Sequence, residues 1–148
     1  MSQPNPSPVD DLIDLVKSEW DSDTVNDDRL VIAESDSIGK GRDLGVYDYI
    51  ECSETGSLSI DYHDLFMRTQ DVDATVYVEL KASNKGRRAI LFDEFRRIIE
   101  AHRKRPDTPG GYDRMIFEPI TPLDDDTFGA YVYEIVIGFE SRSRRVNA

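Results

Sequence analysis

Between Ala74 and Ala82 the chain alternates without a break. Ala74, Val76, Val78, Leu80 and Ala82 take one phase, and Thr75, Tyr77, Glu79 and Lys81 take the other. A period of two places successive side chains on opposite faces, so this stretch predicts a strand with one buried face and one wet face. Ser83-Asn84-Lys85-Gly86 reads as a turn, and the pattern then changes to a helical period. Leu91, Phe95 and Ile98, with Phe92 and Ile99 beside them, form a wide apolar face, while Asp93, Arg96, Glu100 and Arg103 form the opposite one. A helix is expected over 87–105, with the cations of His102-Arg103-Lys104-Arg105 at its C-terminus and Pro106 as its stop. A one-faced strand running into a one-faced helix requires a layer of helix packed on a layer of sheet.

The rest of the chain fits that requirement. Residues 1–8 read as a flexible Pro/Ser/Asn arm whose end, Ser7-Pro8-Val9-Asp10, starts a helix with Ser7 as its N-cap. Val9, Leu12, Ile13, Val16 and Trp20 make its apolar stripe, and Trp20 is expected to close one end of the core rather than to anchor an interface. A strand is expected over 29–34, then a projecting polar loop over 35–43. Strands over 44–53 and 58–63, around a turn at Glu54-Thr55-Gly56-Ser57, read as a hairpin, with Cys52 as a packing residue. Two final strands are expected over 112–121 and 128–141. In the last, Tyr131, Tyr133, Ile135, Ile137 and Phe139 share a face, while Val132 and Val136 flank Glu134 on the other. A strand apolar on both faces belongs in the middle of a sheet or under a neighbouring subunit. The expected fold is α+β, a mainly antiparallel sheet with two helices on one face: an arm (1–8), a single domain (9–141) and a basic tail (142–148).

Charge narrows the function classes. The 148 residues carry 30 acids against 18 bases, a net charge of −12 with a pI near 4.5. The bases are 13 Arg and 5 Lys. A densely carboxylated, Lys-poor surface stays hydrated in very high salt, where screening removes its self-repulsion, so a halophilic source is expected, with an ordinary acidic cytoplasmic protein as the alternative. The same charge disfavours free binding to nucleic acid. One cysteine and two histidines, His63 and His102, argue against an intramolecular disulfide or an ordinary zinc site. No apolar run approaches the roughly 20 residues of a membrane-spanning helix. Met1–Asp11 lacks the basic and apolar regions of a secretory leader, so an intracellular soluble protein, or one released by lysis, is expected.

Three motifs invite a chemical reading. Glu79-Leu80-Lys81 is the acid-x-lysine strand of a large superfamily of metal-dependent nucleases, in which carboxylates hold a divalent ion and the lysine activates water. Asp61 or Asp73 would supply the earlier carboxylate. The competing reading is that Glu79 and Lys81 occupy the wet phase of an alternating strand and need no catalytic explanation. Gly39-Lys40-Gly41-Arg42 lacks phosphate-loop spacing. Asp124-Asp125-Asp126 lacks the spaced ligands and glycine of a calcium loop.

Taken together, Val9 to Ser141 resembles the tail terminator (tail completion) proteins of long-tailed viruses in layout. The likeness rests on an opening amphipathic helix (Val9–Trp20) and strands with a projecting loop (Leu30–Tyr62 with Ser35–Asp43). A strand, a polar turn and a long helix follow (TVYVELKASNKGRRAILFDEFRRII), and FGAYVYEIVIGFES lies in the closing strand pair. The resemblance implies a homohexameric ring in the virion tail or neck, assembled in the host cytoplasm. Such a ring ends tail-tube polymerisation and offers its other face to the head connector. Its partners would be further copies of the chain, the tail-tube protein and the head–tail connector protein, with DNA passing through the lumen without specific binding. No catalytic residue, metal or cofactor is implied, and another neck protein of related fold is the near alternative. A cellular interaction module without a virus connection is a third reading. Interface positions are expected at Lys40, Arg42, Glu79, Lys81, Tyr131, Tyr133, Arg142, Arg144 and Arg145. A halophilic bias would fit a virus of a halophilic archaeon.

Overall fold

The computed structural model describes residues 4–23, 29–38, 41–63, 66, 68–125 and 129–145, without the side chains of 56, 57, 121, 123, 125 and 143–145. The chain runs α1 (Val9–Glu19), β1 (Leu30–Glu34), α2 (Ser35–Ile38), β2 (Asp48–Tyr62), β3 (Thr69–Ala82), α3 (Lys85–Ala101), a 3-10 turn (Pro109–Gly111), β4 (Arg114–Asp125) and β5 (Ala130–Arg145). The strands form one sheet in the order β1-β2-β3-β5-β4; β1 is parallel to β2 and every other pairing is antiparallel. The helices α1 and α3 contribute to one core on one face of this sheet, so the fold is the expected α+β class.

The periodicities account for that core. Every even residue of β3 from Gln70 to Ala82 is buried and every odd one is partly exposed. Val76, Val78 and Leu80 pack with Ile50 and Cys52 of β2, Ile135, Ile137 and Phe139 of β5, and the stripes Leu12, Val16 of α1 and Leu91, Phe95, Ile98 of α3. Each such side chain, fully buried, contributes about 1.5–3 kcal/mol relative to exposure. Trp20 packs partly buried against the same core, as expected. The Asn84 side chain accepts the Arg87 N–H at 2.9 Å and caps α3. The last strand, β5, lies between β3 and β4, in the middle of the sheet; its Val132 and Val136 stay half-buried on the face away from α1 and α3.

Several boundaries depart from the sequence reading: Ser35–Ile38, expected in a projecting loop, is the short helix α2, and Arg42 of the same stretch folds back onto Glu51 of β2. Glu54–Ser57 is a register shift inside one continuous β2, not a turn, and the hairpin partner of β2 is β3. Glu54 faces Val76 but Leu58 faces Ala74, so two extra residues are absorbed and the alternation keeps its phase. Leu44–Val46 is a turn, and β2 begins only at Asp48. The α3 helix ends at Ala101, because Met115 N–H bonds the Arg103 carbonyl (2.9 Å) and Arg105 N–H bonds the Asp113 carbonyl (3.1 Å), drawing residues 103–105 towards β4. Finally, neither terminus behaves as a free segment where it is described. Asn5 N–H donates to the Gly110 carbonyl (2.8 Å) and Tyr112 Oη donates to the Asn5 carbonyl (2.7 Å), while 142–145 continue β5 and pair with β3. Gly110 takes φ 73, a left-handed conformation that suits glycine, at the point where the arm docks.

Candidate functional site

The face of the sheet opposite α1 and α3 carries a row of charged side chains drawn from three strands. Strand register places Glu51 of β2, Glu79 of β3 and Glu134 of β5 side by side in one row. The next row holds Tyr49, Lys81 and Val132, and the row on the other side holds Ser53, Tyr77 and Val136. Directly opposed residues in antiparallel strands lie about 4.5–5.5 Å apart, so three carboxylates share a strip two strand spacings wide.

These carboxylates are handled differently. Glu51 is 1% exposed and accepts from Arg42 Nε and Nη2 at 2.7 Å each, with Lys81 Nζ at 3.0 Å. Burial works against its charge, but the hydrogen bonds from Arg42 and Lys81 prevail and hold its carboxyl below the ordinary range. Arg42 thereby ties the 41–47 segment over β2, and Tyr49 Oη accepts the Asp43 N–H at 3.0 Å in the same cover. Glu79 has Lys81 Nζ at 4.0 Å. Burial, followed by repulsion from Glu51 and Glu134, outweighs the attraction of Lys81 and Arg42, and its carboxyl is raised. Tyr77 hydrogen-bonds Glu134, and burial together with that bond pushes its phenol far up.

Two further buried carboxylates act as ties. Asp48 is fully buried at the start of β2 and pairs with Arg29 (3.3 Å) and with Arg87 of α3, joining β1, β2 and α3. Glu94 accepts two bonds from Arg97 (2.6 and 2.8 Å) and one from the Asp21 N–H (2.8 Å), fastening the segment after α1 to α3. The bonds from Arg97, set against burial, hold Glu94 below the ordinary range.

The residues singled out from sequence fall as follows. Glu79 and Lys81 lie together on the open face, and Arg42 joins them through Glu51. Lys40 lies outside the described residues. Tyr131 and Tyr133 belong to the helix-covered face: the Tyr133 ring meets Phe92 at 4.3 Å between centroids, and Arg88 stands 5.9 Å above the Tyr131 ring. Arg142 pairs with Asp73 at 2.6 Å and Glu140 at 3.2 Å. Arg144 and Arg145 are β5 residues opposite Gln70 and Thr69, and their side chains are outside the description.

The nuclease set is not assembled from the expected acids. Asp73 shares the phase of Glu79 but sits six residues away, roughly 20 Å at 3.3 Å per residue. Asp61 faces Asp71, further still towards the hairpin tip. The carboxylates that do face Glu79 are Glu51 and Glu134; the sequence reading passed over Glu51, whose signal was the alternation Tyr49, Glu51, Ser53 within a strand. Among the described residues, no group of three His, Cys, Asp or Glu side chains is placed to hold a metal ion. Among the same residues, no helix is long and apolar enough to cross a membrane.

No protein-family model matches the chain, and no curated protein is significantly similar to it in sequence.

Proposed function

We propose that the chain is a structural virion protein, a subunit of the ring that ends the tail tube and joins it to the head connector of a long-tailed virus. One observation carries the reading: among the described residues, the two long helices, α1 and α3, pack on the same face of the sheet. The other face presents Val132, Val136 and Tyr77 half-buried around a row of internally tied charges. Such a face suits burial against a neighbouring copy, because Glu51 is already tied by Arg42 and Lys81 and the apolar side chains are not fully covered. The element order helix, strands, helix, strand pair supports the reading, although Ser35–Ile38, expected in a projecting loop, forms the short helix α2. The excess of carboxylates supports a halophilic virus as the source. The reading is tested by imaging and native mass at multimolar salt, alone and with the cognate tail-tube protein. A six-fold ring that caps tubes supports it, and particles without rotational symmetry that leave tube growth unchanged refute it.

A second reading has its own observation. Glu51, Glu79 and Lys81 reproduce an acid opposite an acid-x-lysine strand, the arrangement a divalent-metal nuclease needs. Against it, the Glu51 oxygens are taken by Arg42 and Lys81, so a metal would have to displace both. Magnesium-dependent cleavage of duplex or branched DNA that is lost in Glu79→Ala would favour this reading over the ring.

A further inference from the structure

The β2 strand is 15 residues long, but β1 covers only Asp48–Cys52 of its outer side. Among the described residues no strand pairs with that side of Leu58–Tyr62, so its backbone N–H and C=O groups form a sheet edge. The side chains above this edge are apolar and uncovered: Leu58 is 43% exposed, Ile60 44%, Tyr62 49%, and Phe66 in the following turn 75%. Leu58 and Ile60 lie on the core side of the sheet, opposite the buried Ala74 and Val72. The arm reaches only the first of them, where Pro6, Ser7 and Pro8 line a small cleft with Leu58 and Ala74.

The other edges are guarded. The β1 edge is five residues long and runs straight into α2, and the β4 edge carries Pro119 and Pro122, which have no N–H to offer. The outer half of β2 has neither proline nor lysine. An unguarded edge under an apolar stripe is a template for strand addition.

We propose that this edge pairs, antiparallel, with the same segment of a second copy of the chain, centred on Ile60. The sequence Leu58-Ser59-Ile60-Asp61-Tyr62 is self-complementary only in that register. Ile60 then meets Ile60 of the second copy, Leu58 meets Tyr62, and Asp61 meets Ser59, so every apolar side chain has an apolar partner and no charge faces its like. Centring on Asp61 would set two carboxylates face to face. Centring on Ser59 would leave Tyr62 without an apolar partner, and a half-step would set Ile60 against Asp61. The contact is isologous and two-fold, so it cannot close a six-fold ring. It joins two subunits, or two rings through their projecting hairpins, and holds or fails independently of the ring.

Ile60→Cys tests the register. Facing Cα atoms in an antiparallel pair lie within disulfide reach. Cys52 is buried and its thiol is pushed up to about 12 by that burial, so it supplies no competing thiolate near pH 8. Mild oxidation of Ile60→Cys is expected to give a covalent dimer on a non-reducing gel, while Ser59→Cys gives little. Ile60→Lys, at a partly exposed position that leaves the melting temperature unchanged, is expected to weaken sedimentation-detected pairing at least about ten-fold, the effect of setting two ammonium groups against each other at the two-fold axis. Absence of a covalent dimer in Ile60→Cys, equal cross-linking through Ser59→Cys, or undiminished pairing in Ile60→Lys would each overturn the proposal.

Discussion

The two faces of β3 are made from alternate residues of one stretch, yet different physics governs each. On the covered face Val76, Val78 and Leu80 are fully buried among side chains from both helices, and their contribution is dispersion and loss of apolar surface from water. On the open face Tyr77, Glu79 and Lys81 are half-buried, and what matters is which charge finds a partner. The covered face makes the molecule fold. The open face ties Glu51 tightly to Arg42 and Lys81 but leaves Glu79 among like charges, with Val132 and Val136 half-buried beside them.

That division is most easily broken from the covered side. Phe95→Ala empties the middle of the α3–sheet contact and is expected to cost about 3–5 kcal/mol, read as a lowered midpoint in urea unfolding. Next in size is Glu51→Gln, which removes the charge that Arg42 and Lys81 share and is expected to cost about 1.5–3 kcal/mol. Its pH signature follows from its lowered carboxyl. The stabilisation is present above the unfolded value of 4.5 and is lost as pH falls through the folded one, so the wild-type and Glu51→Gln stabilities converge in strong acid.

Glu79→Gln has the opposite sign. The Glu79 carboxyl is raised in the folded state, so its contribution is complete below 4.5 and is lost as pH rises through the folded value. The substitution is expected to stabilise by up to about 1 kcal/mol at neutral pH, the scale of like charges opposed across strands. The gain disappears on acidification, and melting curves over a pH series would show it. Smallest for the fold is Val136→Lys, on the open face beside Tyr77, which is expected to shift stability by no more than about 0.5 kcal/mol. The same substitution is expected to abolish assembly by size-exclusion chromatography at high salt, which would separate the role of this face from that of the core.

The covered face was legible in the sequence because a strict period of two or 3.6 has one solution when a face must be buried. Val9 to Val16, Ala74 to Ala82 and Leu91 to Ile99 behave as their spacing predicts. The hairpin was not legible, since Glu54-Thr55-Gly56-Ser57 has the composition of a turn, and only pairing with β3 makes it a register shift. The open-face cluster was half legible. Glu79 and Lys81 stand out within one strand, but their meeting with Glu51 and Arg42 depends on cross-strand register, which no local pattern encodes. Tyr131 and Tyr133 did carry a local sign, since they share the phase of Ile135, Ile137 and Phe139, the face that lies beneath α3.

The central claim is that the open face is buried in a ring of copies around a lumen. Negative-stain imaging of the purified chain at multimolar salt, in the presence of the tail-tube protein proposed as its partner, tests this most directly. The account predicts six-fold rings with a central hole seated at one end of the tubes, and their absence in Val136→Lys. Tubes that grow without a cap beside a chain showing no six-fold particles would contradict it.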